Sequence, residues 1–135
     1  MTIADTETMS LIAFTMPGTP CSVRMARFYV RTTLAFHDLG DYADDAETVT
    51  SELVSNAIKH ASAARFELEI VRLEGFRAVA VIVTDPSSQP PVKRHVDEFS
   101  THGRGLVVVD ALSFHWGWRP NAYGKAVYAI LTRKA

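Results

Sequence analysis

The sequence predicts an α/β fold in which a mixed, mostly antiparallel sheet carries helices on one face, as a two-layer sandwich. Two observations predict it. Runs rich in β-branched and aromatic residues are separated by turn-forming residues, and stretches with apolar residues at three- and four-residue spacing lie between them. The chain order is a strand, two helices, two strands, a long loop, a short helix and a hairpin. This order favours helices gathered on one side of a single sheet.

The first half of the chain predicts one strand and two helices. The run "SLIAFTM" alternates loosely and ends at the breaker sequence "PGTP", which is typical of a strand followed by a turn. A helix is predicted from Ser22, with its end near Gly40, because glycine commonly follows the last helical turn. A second helix is predicted from about Ala43 to His60. Its apolar stripe consists of Ala46, Val49, Leu53 and Ala57.

The second half predicts two adjacent strands, a long loop, a short helix and a hairpin. The runs "RFELEIVRL" and "RAVAVIVTD" are joined at "EGF" and fit neighbouring strands. The segment 86–105 contains three prolines and two glycines, which interrupt any regular element and predict a loop. A short apolar helix is predicted from Leu106 to Leu112. The runs "SFHWGWR" and "KAVYAIL" then flank the turn sequence "PNAYG" as a hairpin.

Composition narrows the class of protein. With 135 residues, 47% apolar and 21% charged, the chain is expected to form a single domain, residues 1–135. Its net charge of -1 provides no basic field, so no direct nucleic-acid partner is expected. No apolar run approaches the ~20 residues of a membrane-spanning helix. Cys21 is the single cysteine and the first residues are too polar for a secretory signal, which together predict a cytoplasmic protein.

Polar side chains border the apolar stripe of the second predicted helix. Glu52 and Asn56 stand four residues apart, so they lie about 40° from each other around the helix axis. A carboxylate at such an edge can accept a proton from a hydroxyl group or water, and an amide oxygen one turn away can bind Mg²⁺. On spacing alone, a solvated helix flank is the simpler interpretation.

Four short motifs occur in an order that resembles a known superfamily. The stretch "ELVSNAIKHA" resembles the N box of the GHKL, or Bergerat-fold, ATPases, specifically of the small bacterial anti-sigma factor serine/threonine kinases. "VTDPSSQPP" resembles their adenine box, "HGRGL" their glycine-rich phosphate box and "GKAVYAIL" their closing strand. Each motif alone is weak, but the four together span nearly the whole chain. The resemblance implies the histidine-kinase-type ATPase fold.

The resemblance also implies roles for individual residues. Glu52 would be the catalytic general base, and Asn56 would hold the Mg²⁺ that bridges the ATP phosphates. Asp85 would accept a hydrogen bond from the amino group of adenine, although a local turn before Pro86 is the alternative use of that aspartate. His60 also matches, with helix-end packing and a nucleotide contact both left open. The implied nucleotide-binding set is Asn56, Asp85, Gly103, Arg104, Gly105 and Leu106.

Two positions depart from the pattern of similar proteins. Ser87 stands where relatives often carry glycine, and Ala126 stands where a threonine usually helps the aspartate to hold adenine. The hydroxyl missing at Ala126 would remove a hydrogen bond worth about 0.5–1.5 kcal/mol. ATP binding is therefore expected to be weaker than in relatives, by up to roughly tenfold.

The function implied by the resemblance is Mg²⁺-dependent protein phosphorylation. The ATP γ-phosphate would pass to a serine or threonine of an anti-sigma factor antagonist, and the same protein would sequester a sigma factor. Both partners are proteins, and the sequence leaves open whether the protein also forms a homodimer. The alternative is a non-catalytic ATP-binding or protein-binding regulatory module of the same fold, which the departures at Ser87 and Ala126 permit.

Overall fold

The order of elements follows the order predicted from the sequence. The computed structural model describes residues 8–60, 64–75, 77–91 and 105–133. Its elements are β1 (Thr8–Pro17), α1 (Cys21–Phe36), a 3₁₀ turn (Gly40–Tyr42), α2 (Ala43–His60), β2 (Arg65–Leu73), β3 (Ala78–Asp85), α3 (Gly105–Leu112), β4 (His115–Pro120) and β5 (Lys125–Thr132). The bounds of α2 agree with those predicted from its apolar stripe.

The five strands form one sheet in the order β1-β2-β3-β5-β4. Each of the four neighbouring pairs is antiparallel. The α/β class with helices on one face is confirmed, and the sheet of the described residues contains no parallel pair. The predicted hairpin between β4 and β5 is also confirmed; its turn is closed by Asn121, whose side-chain oxygen accepts hydrogen bonds from the backbone of Tyr123 and Gly124.

The period of two along each strand decides which side chains face the helices. On β3, Val79, Val81 and Val83 belong to the main core that the sheet shares with the helices. Ala78 and Ala80 alternate with them and belong to a smaller apolar cluster with Ile130. The residue that ends β3, Asp85, is in phase with the valines, so its side chain emerges on the helix face of the sheet.

Helix α1 ends earlier than its sequence predicts. The backbone N–H of Leu39 donates to the carbonyl of Leu34 at 2.7 Å, and that of Asp38 donates to Ala35 at 3.2 Å. This pattern is a Schellman motif, and Asp38 supplies its left-handed residue with a φ of 60°. The predicted end at Gly40 is wrong because an aspartate can adopt this conformation, so the chain turns before it reaches the glycine.

Helix α2 runs along the sheet toward the end of β3. Asp45, in its first turn, lines a cavity with Thr132, and Thr132 pairs with Ala78 at the start of β3. The 18 residues of α2 span roughly 27 Å, and the 8 residues of β3 span roughly 26 Å. The second half of α2, which carries Glu52 and Asn56, therefore extends toward the end of the sheet where β3 finishes.

Gly124 lies directly against the backbone at the end of β3. A Cβ atom at this position would overlap the carbonyl oxygen of Asp85 and the backbone of Pro86, which cannot rotate away as a side chain would. We expect Gly124→Ala to lower the free energy of unfolding by about 3 kcal/mol, measured by urea denaturation. Gly40→Ala is the matched control, because a Cβ atom at Gly40 meets nothing within 4 Å. Equal stability of the two variants would contradict this close approach.

Candidate functional site

The polar edge of α2 is half-buried. Glu52 and Asn56 are both intermediate in exposure, while Leu53 and Ala57 beside them are buried in the main core. Within the described residues, neither polar side chain is joined to another by a hydrogen bond or an ion pair. Their hydrogen-bonding groups are therefore able to bind a ligand or water.

Asp85 is a buried carboxylate with two partners. It is 2% exposed, and its Oδ1 accepts a hydrogen bond from the Ser87 backbone N–H at 2.9 Å. The same oxygen accepts one from Lys125 Nζ, also at 2.9 Å. The local turn that the sequence offered as an alternative role for Asp85 is therefore present. The same carboxylate also forms a buried ion pair with Lys125. Oδ2 has no partner among the residues that the structure describes.

Lys125 is the site residue that sequence reasoning missed. It pairs directly opposite Asp85, whereas Ala126 pairs opposite Thr84. Because neighbours along a strand point to opposite faces, Ala126 lies on the face away from the helices. The premise that Ala126 stands beside Asp85 is wrong, since the residue opposite the carboxylate is a lysine. The expectation of weaker ATP binding stays a prediction.

Part of this arrangement was visible in the sequence. Lys125 is in phase with Val127, Ala129 and Leu131, which all belong to the main core, so alternation along "KAVYAIL" places the lysine on the helix face. The register between β3 and β5 could not be predicted from the sequence, because Asp85 and Lys125 are 40 residues apart in the chain. Without that register, the partner of Lys125 could not be identified.

Ser87 preserves the turn after β3. Its backbone N–H donates to Asp85, and its Oγ accepts a hydrogen bond from the Gln89 backbone N–H at 3.1 Å. Two successive side-chain-to-backbone bonds therefore hold the first residues after the strand. A glycine at this position, as relatives often have, could not make the second bond. Ser87 therefore adds a hydrogen bond that holds the backbone of Gln89.

The phosphate box falls partly outside the described residues. Gly103 and Arg104 are not among them, and Gly105 is the first residue of α3. Leu106 is buried in the main core with Val109, which fixes the start of α3 against α2. The structure thus gives Leu106 a packing role. Of His60, it shows only that the residue ends α2.

The described acidic, histidine and cysteine residues contain no group of three or more that could hold a metal ion. This is compatible with a nucleotide-bound Mg²⁺, which commonly keeps its waters and takes one or two protein ligands beside the phosphates. The amide of Asn56, without a described partner, suits that role. The Oδ2 atom of Asp85 likewise suits a hydrogen-bond donor such as an exocyclic amino group.

Three elements bring the described candidate residues to one side of the sheet. The second half of α2 contributes Glu52 and Asn56, the end of β3 contributes Asp85, and the start of β5 contributes Lys125. Helix α2 contacts β3, β5 and α3, so it lies on the face of the sheet from which Asp85 and Lys125 emerge. Within the described residues, none of the helices has the length and apolar character that crossing a bilayer requires.

Comparison with known proteins supports this fold. No protein-family model and no curated protein matches the sequence. Among solved structures, the chain is similar to the crystal structure of the RsbU and RsbW domains of Rv1364c from Mycobacterium tuberculosis, with a TM-score of 0.65 and 21% sequence identity. The match covers 96% of this chain and 34% of that one, so the chain spans about a third of its length. A likeness at this level of identity establishes the architecture, which does not by itself determine the activity.

Proposed function

We propose that the protein is an ATP-binding regulator that acts as an anti-sigma factor kinase, phosphorylating a serine or threonine of an antagonist protein and sequestering a sigma factor. The observation that carries the proposal is the half-buried pair Glu52 and Asn56, both without described partners, on the helix that contacts the strand ending at Asp85. The fold likeness to solved RsbU and RsbW domains supports it.

Each residue has a distinct role in the proposed reaction. Asp85 accepts a hydrogen bond from the 6-amino group of adenine through Oδ2, and the side-chain oxygen of Asn56 is a ligand of Mg²⁺. When bound, Mg²⁺ offsets negative charge on the phosphates. Glu52 accepts the proton of the attacking hydroxyl group. The hydroxyl oxygen forms the new bond to the γ-phosphorus, the bond from that phosphorus to the bridging oxygen breaks, and ADP leaves.

A second candidate is a regulatory module of the same fold that binds protein partners without transferring phosphate. The buried ion pair favours it, because the ammonium of Lys125 neutralises Asp85 from within the chain. A carboxylate whose charge is compensated by a buried lysine does not require a ligand for the fold to be stable. The two candidates differ in whether the protein labels an antagonist when it is given ATP.

Nucleotide titration of the purified protein, with and without Mg²⁺, tests the shared premise of ATP binding. We expect heat of binding that depends on Mg²⁺ and a loss of about 1–3 kcal/mol of binding free energy in Asp85→Asn, because the amide cannot reproduce a buried charged acceptor. Thr84→Ala is the matched control, since Thr84 precedes Asp85 but lies on the other face of the sheet. Unchanged ATP affinity in a folded Asp85→Asn protein would contradict the adenine contact.

A further inference from the structure

We propose that Lys125 reads the nucleobase together with Asp85, by donating a hydrogen bond to the N1 atom of adenine. This inference rests on the proposed function, because it assigns a further residue to the same ATP site. The ligand that this pair would bind is an adenine whose N1 atom is an unsubstituted acceptor and whose 6-position carries an amino donor.

The position of Lys125 is fixed by the backbone. Lys125 and Asp85 are direct cross-strand partners on the helix face, where their charged atoms lie 2.9 Å apart. Both residues are almost fully buried, at 4% and 2% exposure. Gly124 precedes the lysine and lies so close to the backbone of Asp85 and Pro86 that the two strand ends cannot shift independently. The ammonium and the carboxylate are therefore held as a fixed pair.

The pair has unused hydrogen-bonding capacity of both kinds. An ammonium group has three donors, and Lys125 uses one of them on Asp85 among the residues that the structure describes. The carboxylate uses Oδ1 twice and leaves Oδ2 as an acceptor. The pair thus offers one carboxylate acceptor and two ammonium donors beyond the bonds that the described residues make.

Adenine presents the complementary arrangement. Its 6-amino group is a donor, and the neighbouring ring atom N1 is an acceptor. With Asp85 accepting from the amino group, a donor is needed for N1, and Lys125 is the donor adjacent to that carboxylate. A hydrogen bond from a charged donor in a buried site is stronger than one from a neutral group. Lys125 therefore adds selectivity for N1 to the selectivity of Asp85 for the amino group.

A binding cycle with two ligands and two proteins tests the contact. The Kd of Mg²⁺·ATP and of Mg²⁺·1-deaza-ATP, in which a C–H group replaces N1, is measured by calorimetry for the wild-type protein and for Lys125→Met. We expect the wild-type protein to bind 1-deaza-ATP about 10- to 100-fold more weakly than ATP. Lys125→Met should bind the two ligands within about twofold of each other, because no donor remains for N1.

Folding of the variant is controlled separately. Lys125→Met leaves Asp85 buried without a cation, so the double variant Asp85→Asn/Lys125→Met takes its place if the single variant does not fold. The double variant lacks the same ammonium without leaving a buried charge, and it should also bind both ligands equally. The comparison within one protein cancels any general weakening of the site.

The outcomes separate this inference from the proposed function. Equal binding of ATP and 1-deaza-ATP by the wild-type protein would overturn the role of Lys125 and leave ATP binding intact. Tighter ATP binding by Lys125→Met than by the wild-type protein would also overturn it, because the lysine would then compete with the base for Asp85. Absence of ATP binding by the folded wild-type protein would overturn both the inference and the proposed function.

Discussion

Replacing Glu52 by glutamine is expected to separate phosphate transfer from nucleotide binding. The amide keeps the size of the side chain but cannot accept the proton of the attacking hydroxyl group. Removal of a general base typically lowers the rate by about 10²–10⁴-fold, so labelling of the antagonist by radioactive ATP should nearly vanish. The Kd for ATP and the binding of the sigma factor should change little, because Glu52 contributes neither a phosphate contact nor a core contact in this mechanism.

Glu47→Gln is the matched control on the same helix. Glu47 forms ion pairs with Arg31 and Arg27 of α1, at the surface between the two helices. Loss of such exposed pairs costs about 1 kcal/mol or less, so this variant should label the antagonist at the wild-type rate. The partner must first be found by screening candidate antagonists with labelled ATP. A Glu52→Gln protein that labels the antagonist as fast as the wild-type protein would disprove the role of Glu52 as general base. A wild-type protein that binds ATP yet labels no antagonist would favour the non-catalytic module.

Replacing Lys125 by methionine is expected to cause the largest loss of stability. The change removes the only described cation that contacts Asp85 and leaves a carboxylate of 2% exposure without charge compensation. Breaking a buried pair in this way typically costs about 3–5 kcal/mol of unfolding free energy. Urea denaturation at neutral pH, followed by circular dichroism, measures the difference from the wild-type protein.

The double variant Asp85→Asn/Lys125→Met should recover most of that loss. It contains no buried charge, and the Asn oxygen can still accept the hydrogen bond from the backbone N–H of Ser87. Replacing a whole buried pair by neutral groups is often close to neutral in stability. A single variant that loses less than about 1 kcal/mol would mean that water or another group compensates Asp85, contrary to the burial of the pair.

Much of the architecture was predictable because it depends on local patterns. The three- and four-residue spacing of apolar residues placed α2 at Ala43–His60, and the β-rich runs placed β2 and β3 within one residue of their observed starts. The end of α1 was not predictable in the same way. The helix was expected to end near Gly40 and ends at Phe36, because hydrogen bonds from Asp38 and Leu39 close it first, with Asp38 in the left-handed conformation.

The sequence by itself determined the alternation that places Asp85 and Lys125 on the same face as the core residues, and the spacing that sets Glu52 and Asn56 one turn apart. The tertiary structure alone decided that Asp85 and Lys125 meet. Their contact depends on the register between β3 and β5, which lie far apart in the chain and are aligned by packing of the whole sheet. A shift of one residue would bring Ala126 opposite Asp85 and turn the lysine to the other face, so the chemistry at this end of the sheet follows from a register that no local pattern specifies.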